Sequence, residues 1–309
     1  HLNESHSWLT RAQAVGIDGH FVIEQTARNR NGLFMNFCGT AGVWRRTAIE
    51  DAGGWEHDTV TEDLDLSYRA QLRGWRFHYL PGLRVPAELP TTYAAFKSQQ
   101  SRWAKGSIQT ARKLLPRVWR ADLPWFTKWQ ATVHLTHYGL HFQMALLALL
   151  VLPLMLCFLG DQIPLYRSAV FLALLVPAAL GPSVGYAVCQ YYGHPGDWKR
   201  RLLYLPYLLV VGFGICLSNA KAVVEGLFGR DRTFVRTPKA GERPLKQYAV
   251  ARNWLPYLEI GFALYCGLTA AVLVSIDKYA LLPFIAVYTL GFLVVGCRTR
   301  AELRAGGAL

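Results

Sequence analysis

Acidic side chains are scarce in this sequence: 20 Asp and Glu stand against 33 Lys and Arg in 309 residues, a net charge of +13. The acids ahead of Thr61 are Glu4, Asp18, Glu24, Glu50, Asp51, Glu56 and Asp58, and no two of them form a D-x-D. No metal ligand is therefore assigned. The six cysteines include no C-x-x-C pair, and five of them (Cys157, Cys189, Cys216, Cys266 and Cys297) lie in or at the ends of apolar segments. That placement argues against a zinc site and leaves small buried hydrophobes in a reducing compartment. No internal repeat and no low-complexity stretch is present, which argues against the repeated halves of a transporter.

Hydrophobic residues make up 52% of the chain and are unevenly spread. Residues 1–130 read as a globular mixture, whereas 131–309 are dominated by apolar runs, which excludes a soluble two-domain protein. Four runs reach the roughly 20 residues that a bilayer crossing needs: 133–159, 168–192, 257–276 and 279–297. A fifth, 202–219, is shorter and contains Pro206, Gly212 and Gly214. Lys199-Arg200-Arg201 precede it, while Lys221, Arg230, Arg232, Arg236, Lys239, Arg243 and Lys246 follow. Positively charged flanks stay in the cytoplasm, so this segment cannot cross once. It is expected to lie in the interface as a helix over 202–228, beside four spanning helices with both chain ends cytoplasmic. A net charge of +13 would also suit nucleic acid. The cations cluster beside the apolar runs, however, so the expected partners are the lipid bilayer and an anionic substrate, not nucleic acid.

The globular part reads as α/β. Helices are expected over 8–30, 45–52 (ended by Gly53-Gly54), 62–73 and 92–115, the last a basic helix suited to a membrane surface. Gly39–Val43 is a small-residue segment, and Trp75–Leu80 alternates as a strand would before Pro81-Gly82.

Two motifs can carry chemistry. Thr61 is a helix N-cap candidate that places Glu62 and Asp63 in a first turn, where the helix dipole favours the carboxylate anion. An ionised carboxylate is what a general base needs to take a proton from a sugar hydroxyl, although acids favour first turns without any catalytic role. Gln99, Arg102 and Trp103 fall at i, i+3 and i+4 on one helical face. An indole stacks on a pyranose, Arg pairs with a diphosphate and Gln bonds hydroxyls; alone, the set also fits a basic amphipathic helix carrying a Trp. The order T-E-D, strand, Q-x-x-R-W, spanning helices favours the chemical reading of both.

With Phe37-Cys38-Gly39-Thr40, Thr61-Glu62-Asp63, Gln99-x-x-Arg102-Trp103 and Phe234-Val235-Arg236-Thr237-Pro238-Lys239, the chain resembles the processive family-2 glycosyltransferases. The similarity is to cellulose synthase catalytic subunits and, more closely, to cellulose-synthase-like glucomannan synthases. The resemblance implies the C-terminal half of a GT-A-type domain (1–130) followed by a transmembrane region (131–309), in a multi-pass protein of the cell membrane whose catalytic part is cytoplasmic. It makes Asp63 the base, with Glu62 beside it as a substrate-binding residue. Gln99, Arg102 and Trp103 would hold the diphosphate and the acceptor sugar, and Cys38, Gly39 and Thr40 would line the acceptor site. Residues 229–250 would form a gating loop that closes through Thr237 and Lys239. The implied partners are a UDP- or GDP-hexose and a growing polysaccharide, with an accessory secretion subunit as a further candidate. The implied cofactor is Mg2+ or Mn2+, with ligands expected in an N-terminal half upstream of His1, so that this polypeptide alone is expected to be inactive. A lipid-linked, non-processive transferase and a non-enzymatic export subunit are the alternative readings.

His134, His137 and His141 share a helical face and suggest interfacial packing, polysaccharide contact or a metal. Glu259, just inside a spanning run, is expected to line a channel or to snorkel. Trp119, Trp125 and Trp129 suggest an interfacial aromatic belt ahead of sugar binding.

Overall fold

The computed structural model describes residues 1–39, 41–157, 180–229 and 254–305. The expected N-terminal helix forms as α1 (Trp8–Asp18), a π-helical turn (Gly19–Gln25) and α2 (Thr26–Arg30). Ser7 starts it with a reciprocal capping box: Thr10 N–H donates to Ser7 Oγ at 3.2 Å and Ser7 N–H to Thr10 Oγ1 at 2.9 Å. Next come α3 (Arg46–Asp51) and α4 (Glu62–Leu72). Gly53 and Gly54 end α3 at φ of +92° and +77°, a left-handed conformation open to glycine.

No strand forms among the described residues. Trp75–Leu80 is extended, but side chains satisfy its surroundings in place of a neighbouring strand: Asn29 Nδ2 donates to the Phe77 carbonyl at 2.7 Å, and Tyr79 Oη donates to the Phe21 carbonyl at 2.9 Å. The alternation is real, but among the described residues no ladder forms that would make it a strand.

The long helix α5 (Tyr93–Arg120) organises the molecule. Rather than lying on a surface, it is packed by protein over Ala104–Ala111. Ala111, Leu114 and Val118 join Phe34 and Tyr68, with Ala131 and Leu135 of α6 (Trp125–Thr136). Ala104 and Ile108 meet Ala222 and Val223 of α11 (Cys216–Phe228). Tyr93 and Phe96 meet Leu9, Val211, Ile215 and Val295.

The apolar part contains α7 (Gly139–Cys157), a helix over 180–193 (α8), α9 (Trp198–Arg201), α10 (Leu205–Gly214), α11, α12 (Leu255–Ser275) and α13 (Leu282–Ala305). Three helical stretches, Gly139–Cys157, Leu255–Ser275 and Tyr279–Ala305, are long and apolar enough to cross a membrane. A fourth crossing is available if Trp198–Gly214 and Cys216–Phe228, bent by 48°, make one broken span. The 133–159 run is divided between α6 and α7, and only the C-terminal part of 168–192 lies among the described residues. The last helix continues to Ala305, beyond the expected 297, because Arg298–Ala305 contains no helix breaker. Backbones of α10 and α13 approach at Gly214 and Gly291, where a Cβ on either would strike the other helix.

Glu259 neither lines a channel nor snorkels. It is fully buried, with Oε1 2.6 Å from Lys97 Nζ of α5. The pair is a close charge contact out of line for a hydrogen bond, and Glu259 Oε2 has no hydrogen-bond partner among the described residues.

Candidate active site

Asp63 sits in the first turn of α4 and heads a stripe that the sequence reading missed. Three side chains four residues apart, Asp63, Ser67 and Gln71, hold alternate residues of the extended segment 35–39. Gly39 N–H donates to Asp63 Oδ2 at 2.9 Å, Phe37 N–H to Ser67 Oγ at 2.8 Å, and Met35 N–H to Gln71 Oε1 at 2.9 Å. Gln71 Nε2 also returns a bond to the Met35 carbonyl at 2.8 Å. The match is geometric: four helical residues rise about 6 Å and two extended residues span about 6.6 Å. Helix and segment therefore run antiparallel in register, and the register ends with the Asp63 carboxylate against Gly39. Gly39 has φ +56°, which lets the chain turn away from the carboxylate. The sequence signal was there, three polar residues at i, i+4 and i+8 beside the core-facing Leu64 and Tyr68, but it did not say what lay along them.

Thr61 occupies the N-cap position, yet its hydroxyl makes no cap bond. It fills a notch on α5 instead: a Cβ at Gly106 would collide with the Thr61 side chain. Val60 N–H donates to Gln109 Oε1 at 3.0 Å, a second tie between the T-E-D segment and α5. Gly106 lies one turn beyond Arg102, so this close approach brings the two motifs together. Arg102, half-buried, lies in the field of Glu62 and Asp63; burial draws its pKa down and the two carboxylates draw it back up. Glu62 is exposed, and Gln99 and Trp103 are half-buried on the same stretch of α5. Asp63, Glu62, Arg102 and Gly39 are thus gathered at one place. Thr40, Thr237 and Lys239, with the gating-loop segment from residue 230 on, lie outside the described residues.

Cys38 borders the same place. Its Sγ is 3.9 Å from His20 Nε2 and accepts from Gln25 Nε2 at 3.5 Å. His20 Nδ1 bonds Glu24 Oε2 at 2.8 Å, and Glu24 Oε1 accepts from Arg28 Nε at 2.8 Å. Burial alone would lower the His20 pKa, but the Cys38 and Glu24 contacts outweigh it and raise the pKa to about 9. Glu24 is held well below the usual carboxylate range: its own burial opposes this, and the His20 bond with the nearby His134 and Arg28 charges prevails. A cavity of ≈ 330 Å³ adjoins His20 and Glu24, walled by Gly16, Gly19 and Tyr186. His134 Nδ1 pairs with Tyr68 Oη at 2.7 Å. Among the described residues, His134, His137 and His141 do not converge as metal ligands.

The fold brings one acidic group together that linear spacing hid, namely Glu56, Asp58 and Asp65. It does not fit a resident divalent metal, because a lysine ammonium already stands among the carboxylates. Lys113 Nζ lies 2.5 Å from Glu56, 2.7 Å from Asp58 and 2.9 Å from Asp65. Burial opposes the charge, but the three carboxylates outweigh it and raise the Lys113 pKa. Arg69 closes the far side at 2.7 Å from Asp65 Oδ2. Asp65 points about 200° around the helix from Asp63, so the cluster braces α4 against α5 away from the candidate base.

These features coincide with a known family. Residues 2–182 match the family described as glycosyl transferase family group 2, and the chain belongs to it. It is 30% identical, over 96% of its length and 53% of the relative's, to glucomannan 4-beta-mannosyltransferase 7 of Arabidopsis thaliana. It is 32% identical to glucomannan 4-beta-mannosyltransferase 2 of the same plant, over 86% of the chain and 51% of the relative. A probable glucomannan 4-beta-mannosyltransferase 9 of Oryza sativa subsp. japonica is 30% identical over 96% of the chain and 56% of the relative. The chain spans about half the length of these curated relatives.

Proposed function

We propose that this chain is the acceptor-side part of a membrane-embedded, inverting hexosyltransferase that extends a β-glycan, with mannan or glucomannan as the leading product. The observation that carries this reading is the Asp63 carboxylate, fixed by the Gly39 N–H at 2.9 Å and facing Arg102 across the α4–α5 contact. A carboxylate held in place beside Arg102 is suited to accept the proton of a sugar hydroxyl as that oxygen attacks C1 of the donor. The diphosphate then leaves from the opposite face, and the anomeric configuration inverts. Arg102 would offset charge on the diphosphate, Trp103 would stack on the acceptor ring and Gln99 would bond its hydroxyls. Glu62 helps keep Arg102 oriented, Cys38, Gly39 and Thr40 border the acceptor, and Thr237 and Lys239 close over the nucleotide.

The donor is a UDP- or GDP-hexose. Mg2+ or Mn2+, when bound, would neutralise charge on the departing diphosphate; the Lys113-filled cluster does not supply its ligands. On that reading the chain by itself transfers no sugar. The three long apolar helices support a membrane location, and the Lys and Arg clusters beside the apolar runs favour a cytoplasmic Asp63 side at the cell membrane.

The test uses membranes carrying the full-length protein, radiolabelled UDP-glucose or GDP-mannose, and Mg2+ or Mn2+. Alcohol-insoluble label from one donor, lost in Asp63→Asn, is the expected result. Label confined to lipid extracts would point to a lipid-linked transferase, and no label with either donor would point to a non-enzymatic export subunit.

A further inference from the structure

The helix that bears Gln99, Arg102 and Trp103 is fastened to the membrane helices by buried charge. Lys97, 5% exposed in its side chain, reaches Glu259 on α12, whose side chain is 0% exposed, at 2.6 Å. One turn earlier, Glu302 of α13 caps α5 from outside. The Tyr93 and Ala94 N–H groups each donate to one of its carboxylate oxygens, Oε1 and Oε2, at 2.9 Å. Gly296 of α13 makes room for this arrangement, since a Cβ there would come within 3.1 Å of Glu259 Cβ. Tyr93 and Tyr207 hydroxyls meet alongside.

Burying an ammonium and a carboxylate is unfavourable compared with burying an apolar pair of the same size. It is more so in α12, where Glu259 is the sole charged residue of an otherwise apolar helix. Packing alone therefore does not account for the pair; a fixed position does. An apolar contact lets a helix slide by fractions of a turn, whereas a charge contact flanked by a two-oxygen cap fixes both its height and its rotation. Lys97 lies two residues before Gln99 and five before Arg102. Further along α5, on the side of the helix opposite Lys97, the helix is keyed to the T-E-D segment by Thr61 in the Gly106 notch and by the Val60–Gln109 bond. The Gln99–Trp103 face thus lies between two anchors, one in the membrane helices and one beside Asp63.

We infer that Lys97, Glu259 and Glu302 are positioning residues for sugar transfer, setting the register of the Gln99–Arg102–Trp103 face against Asp63 from the membrane side. The inference rests on the transferase reading proposed above. It makes the α12–α13 pair part of the reaction geometry: any rearrangement of these helices, for instance as a product strand passes, is transmitted to α5 through two carboxylates.

The test compares wild type with Lys97→Met/Glu259→Leu, a volume-matched uncharged pair, and with Glu302→Gln, all in the full-length protein in lipid nanodiscs. Three quantities are read: the melting midpoint, amide hydrogen exchange of peptides covering 93–106, and kcat and KM for donor. The double variant is expected to keep a melting midpoint close to wild type while exchange in 93–106 speeds at least tenfold. Its kcat is expected to fall at least tenfold with donor KM changed less than threefold. Glu302→Gln should show the same pattern more weakly. Unchanged exchange, or faster exchange with unchanged kcat, overturns the inference. Should the double variant fail to accumulate, Lys97→Arg, which keeps the charge, must restore yield, exchange and kcat together while Glu302→Gln still loosens 93–106; otherwise the pair is structural only. If wild type transfers no sugar, the transferase reading fails on its own, and the exchange data alone decide whether the two carboxylates fix α5.

Discussion

At the residue scale, the sharpest expectation concerns Asp63. Asparagine can still accept the Gly39 N–H, so Asp63→Asn should leave the fold intact while lowering transfer by about 10²–10⁴-fold, the usual contribution of a general base. A radiolabel assay with parallel melting curves checks both halves of that statement. His20 gives a pH dependence whose sign can be worked out. Its pKa is 6.5 as an ordinary imidazole and about 9 in the folded protein. The native state therefore binds the proton more tightly, and the resulting stability is complete below about pH 6.5 and lost as pH rises through 9. His20→Gln should flatten the fall in melting temperature between those values. The place of Asp63 in a helix first turn was legible because T-E-D is a contiguous motif. Ser67 and Gln71 were not, because a polar stripe on a helix does not name the chain that will lie along it. Lys113 was hidden for the same reason, since its three carboxylate partners come from 48 to 57 residues away in sequence.

At the scale of elements, helices were easier to read than extended chain. The capping box at Ser7 and the positive-φ glycines after α3 act locally, so local sequence reveals them. The stretch Trp75–Leu80 has strand-like alternation, but whether it becomes a strand depends on what lies beside it, and here that is the side chain of Asn29. The basic pattern of α5 suggested a surface helix, yet Gly106, Ala104 and Ala111 mark faces where neighbours come close, and small residues in a charged helix are easily passed over. Gly106→Ala tests the contact directly. The new Cβ meets Thr61, with an overpacking cost of about 1–3 kcal/mol. Transfer should fall more steeply than stability, because the displaced segment carries Asp63; Thr61→Ser in the same background should recover part of both.

At the scale of the whole molecule, the distribution of Lys and Arg leads to an orientation. Lys199-Arg200-Arg201 on one side of 202–219 and the basic stretch from Lys221 onward on the other should both face the cytoplasm. An enzymatic reporter fused at position 240 is expected to report from inside; an external location would make the bent α10–α11 pair a crossing. The close approach of Gly214 and Gly291 predicts that Gly291→Val forces α10 away from α13, with loss of the folded protein from membranes, because backbone and not a movable side chain stands in the way.

The pairing of α4 with residues 35–39 has one more consequence, for solubility. Leu33, Phe34, Met35 and Phe37 form a short apolar run in extended conformation, the kind of stretch whose open amide edge recruits a like segment from another molecule. By occupying the amides of Met35, Phe37 and Gly39, the helix closes the edge of the segment that faces it to an intruding chain. Ser67→Ala/Gln71→Ala removes two of these three guards without touching Asp63. Detergent-solubilised protein carrying that change should self-associate on mild warming, visible as light scattering below its melting temperature, where wild type stays clear. A helix whose first residues are proposed to serve chemistry would then also, one turn further on, keep the protein from aggregating.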